Sequence, residues 1–345
     1  MQIKILIVAD FSYGSLGLSY YNAFEQTGCD VSRFDLMQEY ESINPFSKYK
    51  YVDRILGGLF YKALNKNLLE RVNLLKPEVI FIIKGSFLFP ETIIKIKKIN
   101  NTLIFNFNPD NPFNLNRGAS NNLIRGAIPY YDCYFTWGKF LLPQLKSAGA
   151  KHFEYLPFAY DSTLHYPVDI TDEERKIYGS DIAFIGSWDE EREEWLQNLS
   201  DYDLAIWGNA WNKLKNGALL KQKWKRQPAV GDDFAKICRA SKIVLNLVRK
   251  QNGNAHNMRT FEVPACRGFM LTTRTKEQCE FFEEGTDIAC FETPQELKIK
   301  IDKFLKDENA MKGFRIGANK KVQLHTYYER AKKILEVYHD LKSSL

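Results

Sequence analysis

The chain has 345 residues, 45% of them hydrophobic and 14% aromatic, with 48 Lys and Arg against 42 Asp and Glu for a net charge of +6. That length suits two domains better than one core, and the apolar content excludes a disordered chain. The charges are interspersed and no zinc-finger, KH or RRM signature is present, so a nucleic-acid partner is not expected. The cysteines at 29, 133, 238, 266, 279 and 290 form no CxxC pair and read as small core residues of a reducing compartment. The start, MQIKILIVADF, lacks the apolar core and cleavage site of a signal peptide. No apolar run approaches the ~18 residues a membrane-crossing helix needs. A cytoplasmic protein is expected. Two basic clusters, Lys95, Lys97 and Lys98, and Lys221, Lys223, Lys225 and Arg226 around Trp224, read as solvated helix edges, or as peripheral contacts with an anionic membrane face or a phosphorylated acceptor.

Strand and helix patterns alternate from the first residues. Residues 3–9 form a short apolar run of the kind buried in parallel sheets. Helical patterns follow at 18–26 and 52–75. Further strands are expected at 79–83, 102–107, 133–136 and 153–156, with helices at 91–98 and 139–148. Residues 1–157 thus read as one doubly wound, Rossmann-like α/β domain. A connection at 158–180 carries the acidic run DITDEER, and then the rhythm restarts. Strands are expected at 181–185, 204–207, 243–247, 269–272 and 288–291, with helices at 190–199, 232–240, 257–266 and 294–306. Gly268 is expected as a left-handed helix cap. Residues 181–324 form a second Rossmann-like domain. A final helix, 325–345, places Ala331, Ile334, Leu335, Tyr338 and Leu341 on one face and packs back on the body. The fold class is therefore α/β, with two parallel-sheet domains expected to face one another across a cleft.

The most informative stretch is 246–262, NLVRKQNGNAHNMRTFE. A strand ends in Arg249 and Lys250, a Gly- and Asn-rich loop follows, and a helix opens with Arg259 and Glu262. Strand ends that feed helix N-termini favour anions, through free N–H groups and the helix dipole. The added cations make this a candidate diphosphate site. Arg259 and Glu262, three apart on a helix, also read as a surface pair worth ~0.2–0.5 kcal/mol. His256 reads either as a helix-start residue facing solvent or as a phosphate donor.

Other strand ends carry candidates. Asp10, Tyr13, Gly14 and Gly17 follow the first strand; they either let a ligand approach the backbone closely or form an ordinary turn. Asp110, in FNPDNP, is either a turn residue or a base for an acceptor hydroxyl. Lys84 and Gly85 could serve the acceptor side. Trp207, Gly208 and Trp211 offer a platform for a base or sugar, or else core packing. Asp201–Tyr202–Asp203 precedes a strand and reads as a turn instead of a metal motif. Without His/Cys ligand spacing, no metal is expected.

In HNMRTFEVPACRGFMLTTR, FFEEGTDIACFETPQEL and HTYYER, the chain resembles the CgeB-like (spore-maturation protein) branch of group 1 glycosyltransferases, which have the GT-B fold. KPEVIFIIKGSFL, FNFNPDNP, YDCYFTWGK, EYLPFAYD and DIAFIGSWDEEREEWL extend the resemblance along nearly the whole chain. It implies a metal-independent sugar transfer from a nucleotide-diphosphate sugar, UDP-linked by preference, to a hydroxyl of a glycan, lipid-linked or protein acceptor. The nucleotide sugar is then a substrate, and no cofactor is implied. Glu262 matches the second acid of the Glu-x7-Glu motif, which holds the ribose hydroxyls, while Asn254 stands at the first acid. Gly186, Ser187 and Arg192 fall where the family places a basic pair for the diphosphate, with Ser187 in place of the usual Arg. Glu280, Glu284 and Gly285 match the loop beside the donor. The donor set expected is Gly14, Gly186, Arg192, Trp207, Gly208, Arg249, Lys250, Asn254, Asn257, Arg259, Glu262 and Glu280, with Asp110, His256 and Arg259 as catalytic candidates. A sugar-nucleotide epimerase on the same fold and a non-catalytic nucleotide- or sugar-binding protein are the rival readings.

Overall fold

A computed structural model describes residues 2–99, 101–114, 119–214 and 218–344. The chain divides into two compact units, residues 1–157 with 327–345, and residues 158–326. The first unit is built on six strands: β1 (Lys4–Ala9), β2 (Asp30–Asp35), β3 (Val79–Ile83), β4 (Leu103–Asn108), β5 (Cys133–Thr136) and β6 (Phe153–Tyr155). They lie in the order β2-β1-β3-β4-β5-β6, every pair parallel. β3 and β4 are buried at every position, because helices cover both faces of a parallel sheet; β3 is wholly apolar, while β4 also buries Asn106 and Asn108. One core gathers Leu6, Val8, Ile80, Ile82 and Ile104 with Leu64, Leu68 and Val72 of the helix Tyr61–Leu75.

The second unit has five strands, β7 (Ile182–Ile185), β8 (Leu204–Trp207), β9 (Ile243–Asn246), β10 (Met270–Thr273) and β11 (Ala289–Phe291). Their order is β11-β10-β9-β7-β8, again all parallel. The order places β9 beside β7, so the loops after these two strands leave the same edge of the sheet side by side.

Several elements differ from the sequence expectation. β2 is an edge strand with exposed or half-exposed residues at most positions, so it lacks the apolar run that marks its neighbours. The helix expected at 52–75 is interrupted: Lys50–Leu56 passes through a 3-10 turn at Gly57–Phe60 before Tyr61–Leu75 begins. An additional helix spans Glu308–Val322. The left-handed residue after the helix Arg259–Ala265 is Arg267 (φ 56°), one residue before the expected Gly268. The segment expected as a connection is part of the second unit. It forms the helix Asp172–Tyr178, closed by a Thr171–Glu174 capping box, and Tyr178 bonds Asp233 at 2.7 Å. The final helix, Tyr327–Ser343, belongs to the first unit. Its buried face is Tyr327, Ala331, Ile334, Val337 and Tyr338, with Arg330 donating to the Pro157 carbonyl at 2.9 Å.

Candidate functional site

The carboxyl edge of β7 and β9 collects the charged residues of the second unit. Asp189 caps the helix Glu190–Gln197 by accepting the Arg192 N–H at 2.9 Å. Its Oδ2 lies 2.7 Å from Arg249 Nε and 3.4 Å from Arg192 Nε, so one carboxylate draws two arginines together. Arg192 also donates to the Ser187 carbonyl at 2.8 Å. Burial first, and then the Arg249 charge, lowers the Arg192 pKa to about 10. Lys250 donates its backbone N–H to the Glu191 carboxylate at 3.1 and 3.2 Å.

Arg259 reaches the same edge from its helix. Its Nε donates to the Ile185 carbonyl at 3.1 Å, the last residue of β7, and its guanidinium pairs with Glu262. The guanidinium also lies 4.8 Å from the centre of the Phe234 ring, a cation–π contact that holds its plane. Glu262 is only 2% exposed. Its second neighbour is His165, whose Nε2 is 3.7 Å from Glu262 Oε1 and whose ring meets Phe234 edge-on at 5.1 Å. A buried carboxylate needs such partners. His165 and Phe234 escaped the sequence reading. Asp189 does carry a local signal, an Asp immediately before an acidic helix start.

Polar residues beneath the site brace the loop. Asn257 donates to Asn246 Oδ1 at 2.8 Å, and Thr260 and Thr272 both donate to Gln278 Oε1 at 3.0 Å. Asn257 is thus a support of the helix start, not an exposed ligand group. Asn254 lies exposed in the loop, and its carbonyl accepts the Glu277 N–H at 3.0 Å.

The structure redirects several expected residues. His256 is fully buried, its Nδ1 3.0 Å from Glu277 and its Nε2 accepting the Phe158 N–H at 3.1 Å. With both ring nitrogens engaged inside the core, it is no phosphate donor. Trp207 is 1% exposed and stacks on Tyr178, and Trp211 is likewise buried, so neither is a platform for a base. Gly208 has φ 148°, and a Cβ there would lie 2.1 Å from the Gly186 carbonyl oxygen. These two glycines let the β7 and β8 ends pack together. Glu280 is exposed on the helix Lys276–Phe281, and Glu284 is held by Arg274 at 2.7 and 2.8 Å.

Gly14 and Asp110 belong to the first unit. Gly14 (φ 79°) sits in the turn between β1 and the helix Leu16–Gln26. Asp110 pairs with Lys84 at 2.6 Å.

Among the described residues, Cys279, Glu284 and Cys290 bring three potential metal-binding atoms within 4.8 Å of one another. Burial pushes both thiols up, away from the thiolate a metal takes. Arg274 pairs with Glu284, and Lys300 Nζ lies 3.9 Å from it. The cluster is a poor host for a cation.

Residues 190–336 match the Glycosyl transferase-like family. No curated protein matches the chain in sequence. Sucrose-phosphate synthase from Thermosynechococcus elongatus superposes with a TM-score of 0.72 at 11% identity, covering 100% of both chains. Anabaena HepE (Alr3699), solved with UDP and glucose, gives 0.65 at 12% identity, again over 100% of both. A putative UDP-N-acetylglucosamine 2-epimerase from Listeria monocytogenes gives 0.55 at 10% identity, over 100% of this chain and 98% of that one. The class is therefore GT-B, with a glycosyl transferase-like segment that contains Arg192, Arg249, Arg259 and Glu262.

Proposed function

We propose that the chain is a glycosyltransferase that takes a nucleotide-diphosphate sugar, UDP-linked, and passes the sugar to an acceptor hydroxyl. The observation that carries this reading is the gathering of Arg192, Arg249 and Arg259 at one strand edge, with Glu262 beside them. Like charges brought together repel, and the Arg249 charge adds to burial, the larger cause, in lowering the Arg192 pKa. A diphosphate relieves that repulsion. Its charge grows as the glycosidic bond to the donor breaks, so prearranged cations stabilise the departing group more than the bound substrate. The same arginines supply this stabilisation without a metal.

Arg259 pairs with Glu262 and covers it. Phosphate draws the guanidinium outward, and the carboxylate oxygens then accept hydrogen bonds from the ribose hydroxyls, as ionised carboxylates can accept about four in all. Asp110 of the first unit is the base proposed for the acceptor hydroxyl, with Lys84 fixing its carboxylate. UDP as the nucleotide is supported by the ligand of the Anabaena neighbour.

The test is incubation with a panel of UDP- and GDP-sugars, with and without simple glycoside acceptors, followed by phosphorus and proton NMR. Acceptor-dependent release of nucleoside diphosphate with a new glycosidic anomeric signal is expected. An epimeric sugar nucleotide formed without acceptor would make the protein an epimerase. Binding with neither product would make it a non-catalytic binder.

A further inference from the structure

One surface of the first unit is left unused by the proposed reaction. In the segment 46–60, Tyr51, Ile55 and Leu59 are 83%, 80% and 71% exposed, and Tyr49 is 66% exposed. Single exposed apolar residues are ordinary. A stripe of large ones, spaced four apart along successive turns, is not.

The stripe is held in place from below. Asp53 accepts from the Tyr40 hydroxyl at 2.5 Å and from Asn44 Nδ2 at 2.6 Å, so the one carboxylate of the segment faces inward. Gly57 is buried against this pair, where a Cβ would meet Tyr40 Oη at 2.2 Å and Asp53 Oδ1 at 2.9 Å. The Tyr40 ring stacks on Phe87 at 4.9 Å. Lys48 and Lys62 flank the stripe and are exposed, and the sequence between them adds Lys50 and Arg54. Glu39 on the neighbouring helix is engaged by Asn67 at 3.3 Å.

We propose that residues 46–62 form a membrane-docking surface, which lays Tyr49, Tyr51, Ile55 and Leu59 into the headgroup boundary of an anionic bilayer. Charge complementarity selects this occupant. The carboxylate is turned in, and the exposed Lys48 and Lys62 bracket the apolar stripe along the chain, an arrangement suited to anionic lipid headgroups. Tyrosines suit a boundary that is apolar on one side and wet on the other. A protein interface would instead deplete lysine. The two basic clusters that first suggested membrane contact are partly committed elsewhere: Lys97 pairs with Asp132 at 2.5 Å, Lys223 donates to the Tyr202 carbonyl at 2.9 Å, and Arg226 lies over Trp224.

The test is co-sedimentation of the full chain with phosphatidylcholine vesicles, with and without phosphatidylglycerol. The wild type is expected on the anionic vesicles and to leave them as salt rises. The triple variant Tyr51→Ser, Ile55→Ser, Leu59→Ser should bind at least about tenfold more weakly, with its melting temperature and nucleotide affinity unchanged. Lys48→Gln with Lys62→Gln should bring binding on anionic vesicles toward the neutral-vesicle level. Failure of the wild type to bind anionic vesicles overturns the proposal, as does equal binding by the triple variant. A wild-type dimer that the triple variant converts to monomer also overturns it, by assigning the surface to a second copy.

Discussion

At the scale of single residues, Glu262 and its two partners define the site. Glu262 favours the His165 tautomer with its proton on Nε2, which leaves Nδ1 to accept the Asp161 N–H at 3.3 Å. Burial lowers the His165 pKa, and the Glu262 charge only partly offsets it. A histidine with a folded pKa below its unfolded value of about 6.5 takes up protons more readily when unfolded. Its stability contribution is full above that value and is lost as pH falls from it toward the folded pKa. The wild-type melting temperature should therefore fall more than that of His165→Gln between about pH 7.5 and 5.5, measured by calorimetry in matched buffers. Parallel curves would contradict the burial argument. Arg249, Lys250, Arg259 and Glu262 were legible in the sequence, because a charged strand end, a Gly/Asn loop and a helix start form one local pattern. His165 was not, because it reaches Glu262 only through the tertiary fold. His256 misled for the same reason: its neighbours in sequence suggested phosphate, and Glu277 and the Phe158 N–H took both its nitrogens.

At the scale of elements, legibility followed burial. β3 shows as an unbroken apolar run because both its faces are covered, and β4 shows as one up to Phe105 before Asn106 and Asn108 interrupt it. β2 was hidden because an edge strand is free to carry Asp30, Ser32 and Arg33. The break at Gly57 was hidden because the apolar spacing continues through it, while Gly57 is required by the Tyr40–Asp53 pair. The turn from β1 into the helix Leu16–Gln26 is as tight: a Cβ on Gly17 would lie 2.1 Å from the Asp10 carbonyl oxygen and 2.7 Å from Ala9 Cβ. Backbone cannot yield as a flexible side chain does. Gly17→Ala should cost about 1–3 kcal/mol by denaturant unfolding. Gly58→Ala, with no atom within 4 Å of the new Cβ, should change stability by less than about 0.5 kcal/mol. Equal midpoints for the two variants would refute the packing argument.

At the scale of the whole molecule, the alternation of strands and helices made two α/β units legible. It did not reveal that the segment after Pro157 is built into the second unit, since its links to Asp233 and Trp207 are tertiary. The chain returns to its first unit at the end, where Tyr327 meets Tyr20 with ring centres 5.0 Å apart and Tyr338 bonds Glu78 at 2.9 Å. Each large side chain buried there contributes roughly 1.5–3 kcal/mol, and together they rival the 5–15 kcal/mol stability of a typical domain. Deletion of residues 327–345 should therefore strip hydrogen-exchange protection from β1 and the helix Leu16–Gln26, or leave the protein insoluble. A soluble product with unchanged protection there would refute that dependence. The proposed donor site is tested most directly by calorimetric titration of UDP into the wild type, Arg259→Ala and Glu262→Gln. One-to-one binding to the wild type is predicted, weakened at least tenfold, or about 1.4 kcal/mol, in each variant. Equal affinity in all three folded proteins, or no binding to any, would contradict the assignment of this strand edge as a nucleotide-sugar site.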